Sequence, residues 1–98
     1  MERVCIMKKS VLFDDMNHCI LCGSESVHIH HIFFGTANRK LSDEDGYIAP
    51  LCQKHHTGKD GVHFNRPFDL TLKEMAQRHF EETHDRQAFI RRYGKSYL

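Results

Sequence analysis

No stretch of the 98 residues is long and apolar enough to span a membrane. The N-terminal run MERVCIMKKSVLF does not read as a secretory signal, because Lys8 and Lys9 interrupt an apolar segment that is already short. Internal repeats and low-complexity tracts are lacking, which excludes repeat arrays. No linker is long enough to separate domains, so residues 1–98 read as a single one. Charge of one sign is lacking too: 14 Lys and Arg against 13 Asp and Glu leave +1, which alone names no partner. A chain this short has a small core, and such chains often add a structural metal or disulfides.

What is abundant is histidine, nine in all. His28, His30, His31, His55, His56 and His63 fall in one stretch, and histidine is both the commonest metal ligand and an acid/base near neutral pH. The four cysteines are Cys5, Cys19, Cys22 and Cys52. Cys19-x-x-Cys22 is a chelating knuckle, and Cys52-x-x-His55 repeats its spacing with histidine in the last place. Cys5 is left over, which a disulfide framework does not explain. A cytoplasmic, reducing location is expected, where thiolates favour zinc over disulfides. Cys19, Cys22, Cys52 and His55 therefore make the expected structural Zn2+ site. Its affinity becomes folding free energy, on the order of 10 kcal/mol in small zinc modules.

The expected fold class is α+β. Val4 to Phe13 reads as a short strand or irregular segment. Residues 19–22 form a tight knuckle in which Gly23 permits positive φ. Val27 to Phe34 is β-branched and aromatic with partial alternation, a strand. GTANRKLSDEDGYIAP reads as a polar loop with Asn38, Arg39 and Lys40 on its surface. Tyr47 to Ala49 is a second strand, stopped by Pro50. A helix starting after Leu51 is broken early by TGKDG. In the C-terminal region, 69–94, Asp69 caps a helix with Leu72, Met75, Ala76 and Phe80 on its apolar stripe and Thr83 at its end. A second helix runs from Asp85 to Gly94 with Ala88, Phe89 and Tyr93 inward. His79 and His84 read as surface residues, and His18 as a neighbour of the knuckle. Arg86, Arg91, Arg92 and Lys95 suit either a phosphate-facing surface or an ordinary solvated helix end.

With His55 assigned to zinc, His30, His31, His56 and His63 remain. Neighbours on a strand point to opposite faces, so His30 and His31 do not easily bind one ion together. One ligand and one base is the division that geometry suits. His30, His56 and His63 could form a three-histidine site with open positions for water and phosphate. His28 shares a strand face with His30 but is more readily a plain surface residue.

From Cys19 to Asn65, about half the chain, the sequence resembles the HNH endonuclease family with its ββα-metal, treble-clef-like core. The matching stretches are C-x-x-C, His30-His31-Ile32, Leu51-Cys52-x-x-His55-His56 and Val62-His63. The doubled histidine before an apolar residue is similar to that of colicin-type nucleases. The zinc knuckles resemble those of phage and restriction HNH proteins, including recombination-associated phage nucleases. HHIFFGTANRKLS and LCQKHHTGKDGVHFN look especially like small phage and prophage members.

The resemblance implies a DNA-cutting enzyme in a bacterial or phage-infected cell. His31 would be the general base. His30 and His56 would hold a catalytic divalent ion such as Mg2+, Mn2+ or a transition metal, with His63 a third ligand or phosphate contact. Two departures stand out: the family's middle Asn is absent near Tyr47, and the gap from His56 to His63 exceeds one helical turn. Phosphodiester hydrolysis needs an activated water and stabilisation of developing charge, which a histidine of pKa about 6.5 and one divalent ion supply. Arg39, Lys40 and Arg66 flank the cluster as candidate phosphate contacts, with Asn65 a substitute contact. DNA is the expected partner, with no membrane; a homodimer or a phage or host protein partner stays open. The competing reading is a catalytically silent zinc module that binds nucleic acid or protein.

Overall fold

The two short strands are fixed by what flanks them. In the computed structural model, which describes residues 9–59 and 61–98, β1 (His28–His31) pairs antiparallel with β2 (Ile48–Leu51). Cys5 and the first residues of the expected Val4–Phe13 segment lie outside the described residues. The rest of that segment is irregular and ends against the sheet connection, Val11 N–H donating to the Gly46 carbonyl at 3.0 Å.

β1 is shorter than the expected Val27–Phe34, and β2 runs past Pro50 instead of stopping at it. Register explains the second correction. Ile32 N–H donates to the Tyr47 carbonyl at 3.0 Å, so by alternation the Ile29–Pro50 pair makes no bonds across the ladder. The missing N–H of proline therefore costs no ladder bond. The Pro50 carbonyl, turned outward, accepts from Ile20 N–H at 3.1 Å and ties the Cys19–Cys22 knuckle to the sheet.

The expected polar loop between the strands is largely a helix, α1 (Thr36–Asp45). It closes on Gly46, whose φ of 78° is left-handed and whose amide bonds back to the last turn. A Cβ at Gly46 would also stand 3.0 Å from Val11 Cγ1. Only one α1 residue, Ser42, is buried; its hydroxyl donates to the Tyr47 carbonyl and accepts from Phe33 N–H. The rest of α1 is held by α4 (Arg86–Tyr93): Arg92 makes a bidentate contact to Asp45 at 2.7 and 2.8 Å, and Tyr93 hydroxyl donates to the same carboxylate. Arg86 pairs with Glu81 at 3.0 Å, so two of the four basic residues near the C-terminus are engaged within the chain.

After β2 come the short α2 (Gln53–His56), a 3-10 turn (Val62–Phe64) and α3 (Arg66–Phe80). α3 begins three residues before the expected cap. Asn65 is the cap, its Oδ1 accepting from Phe68 N–H, and Asp69 instead pairs with Lys73 at 2.8 Å. α4 has the expected ends, Asp85 capping it and Gly94 in the left-handed region. Leu72, Ala76, Phe80, Phe89 and Tyr93 pack with Phe33, Ile32 and Leu51 in one core. Met75, expected inside, is 37% exposed, while Lys73 and Gln77 are buried. His79 is half-buried and bonded to the Tyr47 hydroxyl at 3.1 Å, not a bare surface residue. His84 is exposed and stacks on Phe80. The chain is thus a small α+β fold with a two-stranded sheet and four α-helices among the described residues. Among those residues no helix is long and apolar enough to cross a membrane.

Candidate metal centre

Two chelating pairs meet at one edge of the sheet. The first is set by the knuckle, where Cys19 N–H bonds the Ser24 carbonyl and Gly23, at φ 78°, bonds back to the Cys19 carbonyl. The second is set by α2, which Cys52 caps: its carbonyl accepts from the amides of His55 and His56. Cys19 Sγ lies 3.6 Å from His55 Nδ1, Cys52 Sγ lies 3.3 Å from the same nitrogen, and Cys22 Sγ lies 3.6 Å from Cys52 Sγ. A tetrahedron with Zn–S arms of ~2.3 Å has edges of roughly 3.7 Å, so the spacing fits such an ion. Cys19, Cys22 and Cys52 are all free of disulfides. Burial pushes the Cys19 thiol up, but amide hydrogen bonds from Cys52, Leu21 and Cys22, with His55 beside it, outweigh that and bring it to about 6. A thiolate is thus available near neutral pH, and the Cys3His set could hold a metal such as zinc.

A second cluster stands on the neighbouring face. His30 comes from the end of β1, His56 from the end of α2 and His63 from the 3-10 turn, their ligand atoms all within 4.8 Å of one another. The long gap between His56 and His63 closes where the chain folds back at Gly61: a Cβ there would meet the His56 carbonyl oxygen at 2.7 Å, so only glycine allows so close an approach. His30 is 1% exposed, and its Nε2 has no hydrogen-bond partner. A buried imidazole nitrogen is not normally left so; a bound cation would satisfy it. Burial, then the neighbouring His56, His63, His31 and Lys73, hold His30 down to about 3. Burial and nearby histidines lower His56 as well. Neutral rings with free lone pairs are what a divalent ion requires.

These histidines open into a cavity of about 230 Å³ lined by Ile29, His30, His31, Phe34, Arg39, His56 and His63. Beside it lies a shallower groove of about 400 Å³, lined by His31, Thr36, Arg39, Lys40 and Asp43. His31 and Arg39 belong to both. Although His31 follows His30 directly, it takes no part in the three-histidine cluster; its Nε2 lies 3.3 Å from Asp43 Oδ1 on α1. His28 sits on the other side of His56, the two Nδ1 atoms 3.3 Å apart.

Most of the residues singled out in the sequence are brought together here: the Cys19/Cys22 and Cys52/His55 pairs, His30, His31, His56, His63, Arg39 and Lys40. Asn65 and Arg66 are not: the first caps α3, the second is its first residue, and neither lines the cavity or the groove. Sequence reasoning missed Asp43, hidden in a segment read as loop, and Phe34, read only as strand.

Compared with protein-family models, curated proteins and solved structures, the chain matches none.

Proposed function

We propose that the protein is a metal-dependent endonuclease of the HNH type, hydrolysing phosphodiester bonds in DNA on a treble-clef-like ββα-metal core. The observation that carries this reading is the adjacency of a Cys3His cluster to a three-histidine cluster, with His31 on the wall of the same cavity yet outside both ligand sets. A closed four-ligand set suits a structural ion, and a three-ligand set leaves positions open for water and substrate.

Roles follow from the atoms. Cys19, Cys22, Cys52 and His55 hold structural zinc and pin the knuckle, the sheet and α2. His30, His56 and His63 hold a divalent ion, Mg2+, Mn2+ or a transition metal. Bound there, such an ion would supply charge stabilisation to the phosphodiester under attack. His31 Nε2–H donates to Asp43, which fixes the tautomer and leaves Nδ1 with the lone pair. Nδ1 takes the proton of the attacking water as its oxygen bonds to phosphorus; the P–O3′ bond breaks, and the 3′ oxygen is protonated from solvent. Asp43 then steadies the imidazolium that has formed. Arg39 and Lys40, both exposed, bind flanking phosphates.

The deciding experiment is cleavage of supercoiled plasmid with Mg2+, Mn2+, Ni2+ or Zn2+, beside the His31→Ala variant. Nicking or linearisation by the parent is expected, and a loss of about 10²–10⁴-fold in the variant with its zinc content unchanged. A parent that binds zinc and DNA but fails to cut with any of these ions sinks the reading in favour of a silent zinc module.

A further inference from the structure

The outer wall of the histidine cavity is apolar and exposed. Phe34 lines it and remains 40% exposed, beside Ile29 at 39%. The Phe34 ring lies 5.0 Å from His63 and 6.0 Å from His30, centroid to centroid. The residue after His63, Phe64, is 73% exposed. Single exposed apolar side chains need no explanation, but Phe34 and Ile29 line the same opening.

Phe34 is also held in place before any ligand arrives. Lys73 Nζ stands 4.2 Å from its ring centroid and is itself fixed by Asp69 at 2.8 Å. Lys73 is only 9% exposed, and a buried ion pair adds little net stability. What this pair does achieve is a rigid aromatic surface at the cavity mouth, which lowers the ordering cost of anything that stacks there. Arg39 lines the cavity together with Phe34 and the adjoining groove together with Lys40. An ordered aromatic platform followed by cations matches the chemistry of an unpaired nucleotide, whose base stacks while its backbone meets positive charge. A paired base cannot use Phe34, because both its faces are covered within the duplex stack.

We infer that the site takes single-stranded DNA, such as a frayed end or flap, with one unpaired base on Phe34 and its backbone over Arg39 and Lys40. This rests on the nuclease reading for the chemistry but on Phe34, Lys73 and Arg39 for the substrate class.

The test is fluorescence anisotropy of the zinc-loaded full chain in a His31→Ala background, with a labelled oligothymidylate and a hairpin duplex of equal length. The single strand is expected to bind at least tenfold more tightly. Phe34→Ala should weaken it about tenfold or more and leave the hairpin nearly unchanged, while Phe34→Trp retains binding. If Phe34→Ala loses its circular-dichroism spectrum, Phe34→Leu is read in its place, since it keeps bulk without a π face. Equal affinity for both probes overturns the inference. So does an unchanged single-strand affinity in the Phe34 variant, which assigns the aromatic rim to a protein partner instead. Cleavage by the parent is scored separately: failure to cut either probe sinks the nuclease reading, whereas equal cutting of both, unaltered by Phe34→Ala, sinks only the single-strand preference.

Discussion

His31 at the end of β1 and Asp43 on α1 are joined by a 3.3 Å contact between Nε2 and Oδ1 that spans the connection between the two strands. The side chains are 17% and 30% exposed, so the pair is reachable by water yet not free to rotate. A carboxylate in this position orients a neutral imidazole and stabilises its charged form. Asp43→Asn should therefore slow cleavage by about tenfold to a hundredfold, a smaller loss than His31→Ala. Rescue by the conservative variant separates orientation from mere structure: Asp43→Glu, which keeps a carboxylate, should recover part of the rate that Asp43→Asn loses. A full rate in the Asn variant removes Asp43 from the mechanism.

The Cys3His cluster joins the knuckle, the end of β2 and α2. Removing its metal should therefore unfold the sheet edge as well as empty the site. Chelation, or Cys52→Ala, is expected to abolish cooperative unfolding, in line with the order of 10 kcal/mol carried by such ions in small modules. His30→Ala should instead keep one zinc per chain and a native circular-dichroism spectrum. Metal analysis by plasma mass spectrometry beside thermal melts checks both. A Cys52→Ala protein that melts like the parent contradicts the structural role.

How much of this was legible depends on whether the signal was local. The ligand pairs were readable because C-x-x-C and C-x-x-H chelate within one turn, and the α4 ends because Asp85 and Gly94 are local stop signals. α1 was misread because its ten residues bury only Ser42, so no apolar stripe marks it. Its anchors, Arg92 and Tyr93, lie on α4, far along the sequence. Gly46 and the helix-forming run around Ala37 to Leu41 were the available hints. Pro50 misled because its effect depends on register, which becomes visible only once Ile32 and Tyr47 are paired. Asp43 and the Lys73–Phe34 contact are tertiary relations with no short-range trace.

His28 Nδ1 and His56 Nδ1 stand 3.3 Å apart. If His56 donates there, its Nε2 is left as the lone pair facing a cation, the usual outer partnership of a ligating histidine. His28→Ala should weaken Co2+ or Mn2+ binding at the histidine cluster by about 10–100-fold without disturbing zinc. His28→Gln, which offers an acceptor, should recover most of it. Nitrogen shifts of the His56 ring report the tautomer directly, and a ring unaffected by His28→Ala rules the partnership out.

His30 sets a pH window for stability. Burial and its histidine neighbours hold it at about 3 in the folded chain, whereas an unfolded histidine titrates near 6.5. Between those values only the unfolded chain binds the proton. Stability from this group is complete above pH ~6.5 and is lost as pH falls toward ~3, by at most about 1.4 kcal/mol per pH unit. Urea titrations at pH 7, 6 and 5 should show a steeper decline in the parent than in His30→Gln. Equal slopes mean that His30 is not held neutral by the fold.

Gly61 decides whether His63 reaches the cluster. A Cβ there would approach the His56 carbonyl oxygen to 2.7 Å and the Gly58 oxygen to 3.0 Å, both backbone atoms that cannot rotate away. Gly61→Ala must therefore open the turn between α2 and the 3-10 segment, and His63 moves with it. His30 stays in place, because β1 lies outside that turn. The expected result is weaker binding of the divalent ion and slower cutting, with the Cys3His zinc retained and only a modest drop in melting temperature. His63→Ala gives the comparison. If His63 is a ligand, Gly61→Ala and His63→Ala should lose metal affinity to a similar degree, and the double variant should lose little more than either. Losses that add fully in the double variant would mean that the turn acts on the site by another route.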